Sequence, residues 1–134
     1  MGDIYKIREF GYLEKGMDLL IARQNVVASN VANLSTPGYK ARKIVFEKAM
    51  NAAIGGGFSM KETHPKHFPL NLKGVYGVKP AYKVELSGAR EDGNTVNLDK
   101  ETMTGAENKG KFNLFATVWT KHMKNIMMPF DGAR

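Results

Sequence analysis

Residues 10–34 read FGYLEKGMDLLIARQNVVASNVANL, and the spacing of their apolar side chains decides the fold. Phe10, Leu13, Met17, Leu20, Gln24, Val27, Val31 and Leu34 follow at alternating steps of three and four, the a/d stripe of a helix with a period of 3.5. Glu14, Lys15, Asp18, Arg23, Asn25 and Ser29 fill the flanks, so the stripe is narrow. A helix over this stretch is about 38 Å long. Gln24 puts a polar group into the seam, a device that can set register or partner number. Gly11 and Gly16 weaken the early turns by about 1 kcal/mol each against alanine. The plainer reading is an amphipathic helix packed on its own domain. The sharper one is a helix that another subunit completes.

Downstream, Pro37 lacks an N–H and turns Thr36 away from helical geometry, so the helix stops near Leu34. Pro37-Gly38 suits the centre of a type II turn, with Gly38 supplying the positive φ. Residues 41–54 read as a second, short helix with Ile44, Val45, Phe46, Ala49, Met50, Ala53 and Ile54 on its apolar face, ended by Gly55-Gly56-Gly57. Residues 55–74, with the glycine triplet, Pro65 and Pro69, read as an exposed loop. Tyr82, Val84 and Leu86 alternate with Lys83 and Glu85, a strand signal. Asp92-Gly93-Asn94 is a turn from which Thr95, Val96 and Leu98 are expected to return as the second strand of a hairpin. The last helix is expected from about Asp99 to Met128, capped by Asn97 or Asp99 and ended by Pro129. Phe112, Ala116, Trp119, Met123 and Ile126 repeat the 4-3-4-3 spacing, while Gly105 and Gly110 weaken its first half.

The expected fold is therefore mainly α with a small β element. Long N- and C-terminal helices pair as a coiled-coil-like bundle around a short loop and β-hairpin middle region. Residues 1–40 form the first helix and Pro-Gly turn, 41–98 the middle region and 99–134 the last helix, the two helices together making one helical domain. Such a pair buries only one stripe of each helix, a thin core for 134 residues. Neighbouring chains would supply the remaining burial.

Composition narrows the chemistry. With no cysteine there is no disulfide framework, thiolate zinc site or cysteine nucleophile. The net charge of +7 invites a nucleic-acid reading, yet residues 1–54, 55–95 and 96–134 carry +3, +2 and +2, an even spread with no basic arm. A small basic nucleic-acid-binding module stands as the alternative function. The start, Met1-Gly2-Asp3-Ile4-Tyr5-Lys6, leads into no apolar run of a secretory signal, and no stretch approaches the ~20 apolar residues of a membrane span. His64 and His67 with Glu62 make a weak metal pattern better read as solvated loop histidines, and His122 is expected at a polar flank. Glu91, Asp92, Asp99 and Glu101 suit a turn and a helix start. No catalytic, cofactor or metal residue is expected.

Ala28-Ser29-Asn30-Val31-Ala32-Asn33-Leu34-Ser35-Thr36-Pro37-Gly38-Tyr39-Lys40 resembles the amino-terminal signature of the flagellar axial proteins. Lys40-Ala41-Arg42, Val45-Phe46-Glu47, Thr63-His64-Pro65-Lys66-His67, Asp92 to Glu101 and Ala106-Glu107-Asn108 are similar to stretches of the basal-body rod proteins, those of the proximal rod above all. Gly105 and Gly110 depart from larger residues usual in that family. The resemblance implies a structural subunit of the bacterial flagellar basal body that catalyses nothing, exported through the flagellar type III apparatus without a cleaved signal. It assembles at the rod base within the membrane ring, as a helical hetero-oligomer. Partners implied are other rod subunits, the rod adaptor protein FliE and the type III export gate. The assembly interface is expected along both seams, Phe10 to Leu34 and Phe112 to Ile126. Ser29, Asn30, Asn33, Thr36, Pro37, Gly38 and Tyr39 form the motif and turn.

Overall fold

The computed structural model describes residues 2–54 and 74–131, with side chains described for 10–53 and 74–127. The glycine triplet, Glu62, His64 and His67 lie outside the described residues. Two long helices, α1 (Gly2–Ala32) and α3 (Leu98–Asp131), carry the architecture. Between them come strand β1 (Arg42–Val45), helix α2 (Glu47–Ile54), a 3-10 turn (Val75–Gly77) and strand β2 (Ala81–Val84). The long helices pack against each other and the middle elements close over one side of α1. The molecule is mainly helical, with a small antiparallel sheet in the middle, as the sequence implies.

The sheet's partners differ from expectation. β2 pairs with β1, Lys83 opposite Lys43 and Tyr82 opposite Ile44, and not with residues 95–98. Residues 41–54 are accordingly strand and then helix, not one helical piece. The β-branched pair Ile44-Val45 favours extended backbone. Helical character begins only at Glu47, whose carboxylate accepts from the Phe46 N–H at the start of α2. The Asp92-Gly93-Asn94 turn is formed, with Gly93 at φ 77°. Thr95 leaves it to bridge the strands instead of extending one, its hydroxyl accepting from Ala41 N at 2.8 Å and donating to Glu85 O at 3.0 Å. It thereby stands between the two strands where a ladder bond would otherwise close.

The core is where α1, β1, α2 and the 3-10 turn meet. Leu19, Leu20, Ile44, Phe46, Met50 and Val78 are buried together, with Tyr12, Val26, Phe112 and Phe115 packed on them. Arg23 borders this core, its guanidinium 4.4 Å from the Phe46 ring centre and bonded to Ile44 O and the Glu47 carboxylate. α3 begins as expected, Asn97 Oδ1 accepting from Lys100 N at 3.1 Å. Its end does not: the helix continues through Pro129 to Asp131. A proline can sit within a helix at the loss of one backbone bond and a local kink.

Gly11 and Gly16 of α1 mark close approaches. A Cβ on Gly16 would run into the Phe115 ring, and one on Gly11 would lie 2.7 Å from the Tyr76 hydroxyl. Gly105 of α3 has Val27 Cγ1 at 3.6 Å from the same notional atom, whereas Gly110 has nothing within 4 Å. Two opposite outcomes follow. Gly110→Ala should raise stability by about 0.5–1 kcal/mol, because only helix propensity changes. Gly16→Ala should lower it by about 1–3 kcal/mol through overpacking. Thermal unfolding of both variants checks this, and a stabilised Gly16→Ala would refute the close crossing.

Candidate functional site

The last carbonyls of α1 are met by the turn that follows it, Asn33 N on Ser29 O and Asn30 O and Leu34 N on Val31 O, and the carbonyls of that turn are met in part by a side chain from about 60 residues away. Asn94 Nδ2 donates to the carbonyls of Asn33, Leu34 and Thr36 at 3.0, 3.1 and 2.8 Å. Arg90 Nη1 adds a second donor to Leu34 O and ties itself to Val96 O through Nη2. Asn94 is held in turn by its own loop, with its N–H on Asp92 Oδ1 and its Oδ1 accepting from Val96 N. It is fully buried. The chain then turns through Thr36-Pro37-Gly38-Tyr39, Tyr39 N returning to Thr36 O and Gly38 at φ 70°. Gly38 N bonds Asp92 O, so the two turns lock together.

One helical turn earlier, Asn30 is the second fully buried polar side chain. Its amide donates to Arg42 O at 2.7 Å and to Glu101 Oε1 at 3.0 Å. Its Oδ1 accepts from Arg42 N at 3.0 Å and from the Tyr39 hydroxyl at 3.3 Å. One residue thereby ties α1 to β1, to α3 and to the turn. Asn33 works locally, its Nδ2 on Ser29 O and its Oδ1 accepting from Thr36 Oγ1, while Ser29 Oγ meets the Tyr39 hydroxyl at 3.3 Å. Ser29, Asn30, Asn33, Thr36, Gly38 and Tyr39 thus converge on one clamp, and Pro37 makes the bend.

Charge around the clamp is ordered. Hydrogen bonds from Lys100 and Lys43, each at 2.8 Å, hold the Glu85 carboxyl below the usual range. Burial pushes the Glu101 carboxyl up, opposed by the Asn30 hydrogen bond and reinforced by the nearby Glu85 charge. Among the described residues no three of His, Cys, Asp or Glu come together to hold a metal. The clamp's work is mechanical: it fixes the angle and register at which the chain leaves the helical layer.

The seam residues divide by place. Leu13, Leu20 and Val27 are buried within the chain's own core. Phe10 meets Trp119 edge-on, ring centres 4.9 Å apart. Met17, Leu34, Phe112, Ala116 and Trp119 are half-buried. Gln24 is exposed and accepts from Asn108 Nδ2, which also donates to Leu20 O. Val31, Met123 and Ile126 remain exposed. His122 lies half-buried beside the Phe10 ring. Sequence reasoning misses Arg90, Asn94, Thr95 and Glu101 as parts of the clamp. Periodicity finds apolar faces, and a polar residue buried to serve a distant backbone carries no periodic signal.

Two outcomes test the clamp. Asn94→Ala removes three hydrogen bonds at part-buried carbonyls and should cost about 2–4 kcal/mol, read by denaturant unfolding. Glu101→Gln keeps an acceptor for Asn30 and removes a charge from a buried place. Because the folded state holds this carboxyl above its unfolded value, the ionised form weakens folding as pH rises through that interval. Glu101→Gln should therefore raise the melting temperature at pH 7. The gain should vanish at pH values below the ordinary glutamate range, where both states are protonated. A pH-independent gain would mean that packing, not charge, is responsible.

Residues 13–40, the second half of α1 and the turn, match the family described as Flagella basal body rod protein. The chain is 30% identical over 127 residues to the flagellar basal body rod protein FlgB of Salmonella typhimurium, spanning 90% of this chain and 91% of that one. It is 31% identical over 116 residues to the FlgB of Borrelia hermsii, spanning 82% and 86%, and 28% identical over 126 residues to that of Buchnera aphidicola, spanning 92% and 94%. Nothing in the fold or in these relatives favours the nucleic-acid alternative. With the signature, the clamp that the signature builds and full-length similarity all in agreement, the chain belongs to the FlgB family of flagellar basal body rod proteins, structural subunits of the bacterial flagellum.

Proposed function

We infer that this rod subunit works without catalytic turnover, as one unit of an open-ended helical assembly in the proximal rod. It reaches the rod base through the type III apparatus without a cleaved signal. There it packs against other rod subunits, FliE, the export gate and the surrounding membrane ring, transmitting torque and enclosing the export channel. The carrying observation is that the hairpin leaves part of both seams uncovered. Val31 of α1 and Met123 and Ile126 of α3 are 37, 39 and 36% exposed, and Leu114 and Met127 of the same helix are 61 and 58% exposed. Such apolar side chains on a helix gain about 1.5–3 kcal/mol each when fully buried against a neighbour.

A groove beside the seam supports the same reading. Leu20, Ile21, Gln24, Asn108, Lys109 and Phe112 line a space of about 280 Å³ that is almost wholly apolar. Asn108 Oδ1 is buried without a partner among the described residues. An unsatisfied buried acceptor costs about 1–3 kcal/mol, which a donor from an adjoining subunit would recover. In this reading Phe10, Leu13, Met17, Leu20, Gln24, Val27, Val31, Leu34, Phe112, Ala116, Trp119, Met123 and Ile126 form one seam. Its inner part closes the hairpin and its outer part meets neighbours.

The test separates folding from assembly. Replacing Met123 and Ile126 together with glutamate should change stability by less than about 1 kcal/mol, since both are surface positions. In cells lacking the native chain, the doubly substituted protein should give no rod and no motility. Normal motility with this variant would overturn the interface.

A further inference from the structure

The small sheet has two outer edges, and they are treated differently. Glu85 N bonds Ala41 O, so residues 83 and 43 form the next bonded pair of the ladder. The backbone groups of Arg42 and Ile44 on β1, and of Tyr82 and Val84 on β2, therefore point away from the partner strand. On the β1 side they are covered by α1. Asn30 takes both the N–H and the carbonyl of Arg42, imitating a neighbouring strand, and Arg23 takes the carbonyl of Ile44. On the β2 side no described residue meets the groups of Tyr82 and Val84. Their side chains are 61 and 52% exposed, and Leu86, next on the same face, is 74% exposed. An uncovered strand edge carrying apolar residues is a template for another strand.

The charges select the occupant. Between Tyr82 and Val84, on the other face of the strand, stands Lys83, directly opposite Lys43. Glu85, two residues along on the same face, is already bonded to both Lys43 and Lys100, so Lys83 forms no ion pair among the described residues. Of the described strands, a second copy could offer this edge only its own β2, because its β1 edge is plugged. In the register that pairs Tyr82 with Val84 of the copy, Lys83 stands directly against Lys83 of the copy, and like charges opposed across strands repel; in the register that pairs Val84 with Val84, it faces a Glu85 already bonded to Lys43 and Lys100. Such a pair would also close as a two-fold dimer and not propagate.

We propose that the outer edge of β2 is a docking site for an extended segment of a different protein, one that alternates apolar and acidic residues. Its apolar side chains lie beside Tyr82 and Val84, and an acidic one stands opposite Lys83. The edge itself follows from geometry. That its occupant is another basal-body component rests on the rod reading above.

The probe is a blocked heptapeptide alternating glutamate and valine, with a control peptide N-methylated at alternate residues to remove one row of backbone donors. Added at millimolar concentration to the full chain, the first should slow amide exchange at Tyr82 and Val84 by about tenfold or more, and the control should not. Val84→Pro removes an outward N–H while leaving the ladder to β1 intact. It should abolish the protection at Tyr82 without altering the circular dichroism of the protein. Lys83→Glu should likewise weaken binding of the acidic peptide. Equal binding of both peptides, no protection, or protection in the free protein accompanied by dimerisation would overturn the proposal. In cells, Val84→Pro should fail to support motility, and motile cells would show that the occupant is not a rod component. Failure of the rod reading itself would show separately, as motility in cells lacking the whole chain.

Discussion

The carbonyl groups of the turn that follows α1 set the terms for everything else. The helix's own last acceptors are met by the N–H groups of Asn33 and Leu34, but backbone polar groups in a packed turn need partners too, and here a side chain from the far end of the chain supplies them. Asn94 donates to three of these carbonyls at once. Because Asn94 lies just before α3, the bonds that hold the turn after the first helix also deliver the start of the second beside it. Asn30 then fixes the register by holding Glu101 from one side and Arg42 from the other. Closing a loop of roughly sixty residues costs only logarithmically more than closing a short one, so the length of the intervening segment weighs little against this junction.

Away from the clamp the hairpin changes character. Near the turn it is held by polar groups, Asn30 to Glu101 and then Asn108 to Leu20 O and Gln24, with Gly105 letting the helices approach at Val27. Towards the far end it is held by rings: Phe115 over Gly16 and beside Tyr12, then Trp119 against Phe10. The polar end specifies register, since a slip by one residue would strand buried donors and acceptors. The aromatic end contributes area and a close approach of its own, the Phe115 ring lying where a Cβ on Gly16 would stand.

Much of this is legible in the sequence because it is periodic or tied to a special residue. The α1 stripe, the stop expected near Leu34 and found at Ala32, the positive φ at Gly38 and the Asn97 cap all have local causes. What escapes is non-local. Ile44-Val45 reads as helix because its apolar residues also fit a helical face, and only pairing with Tyr82 and Ala81 makes it a strand. The return strand at 95–98 does not form because Thr95 spends its hydroxyl bridging Ala41 and Glu85. Gly105 and Gly110 look alike in sequence, yet one faces Val27 and the other faces nothing. Side chains recruited to distant backbone, such as Asn94 and Arg90, are invisible to any rule that reads only neighbours along the chain.

The two sheet edges extend the same principle from folding to association. Asn30 and Arg23 satisfy the β1 edge from within the chain, using the residues that also anchor the clamp and border the core. Among the described residues the β2 edge has no such guard except Lys83, and a lysine there discriminates: it disfavours an identical residue opposite and favours an acidic one. A rod subunit needs contacts that do not close on themselves. On the docking proposal, an edge that disfavours its own copy would divide the surface, one strand edge suited to unlike neighbours and the exposed seam residues Val31, Met123 and Ile126 apart from it. The division arises from where two asparagines and one lysine stand on an otherwise ordinary helical hairpin.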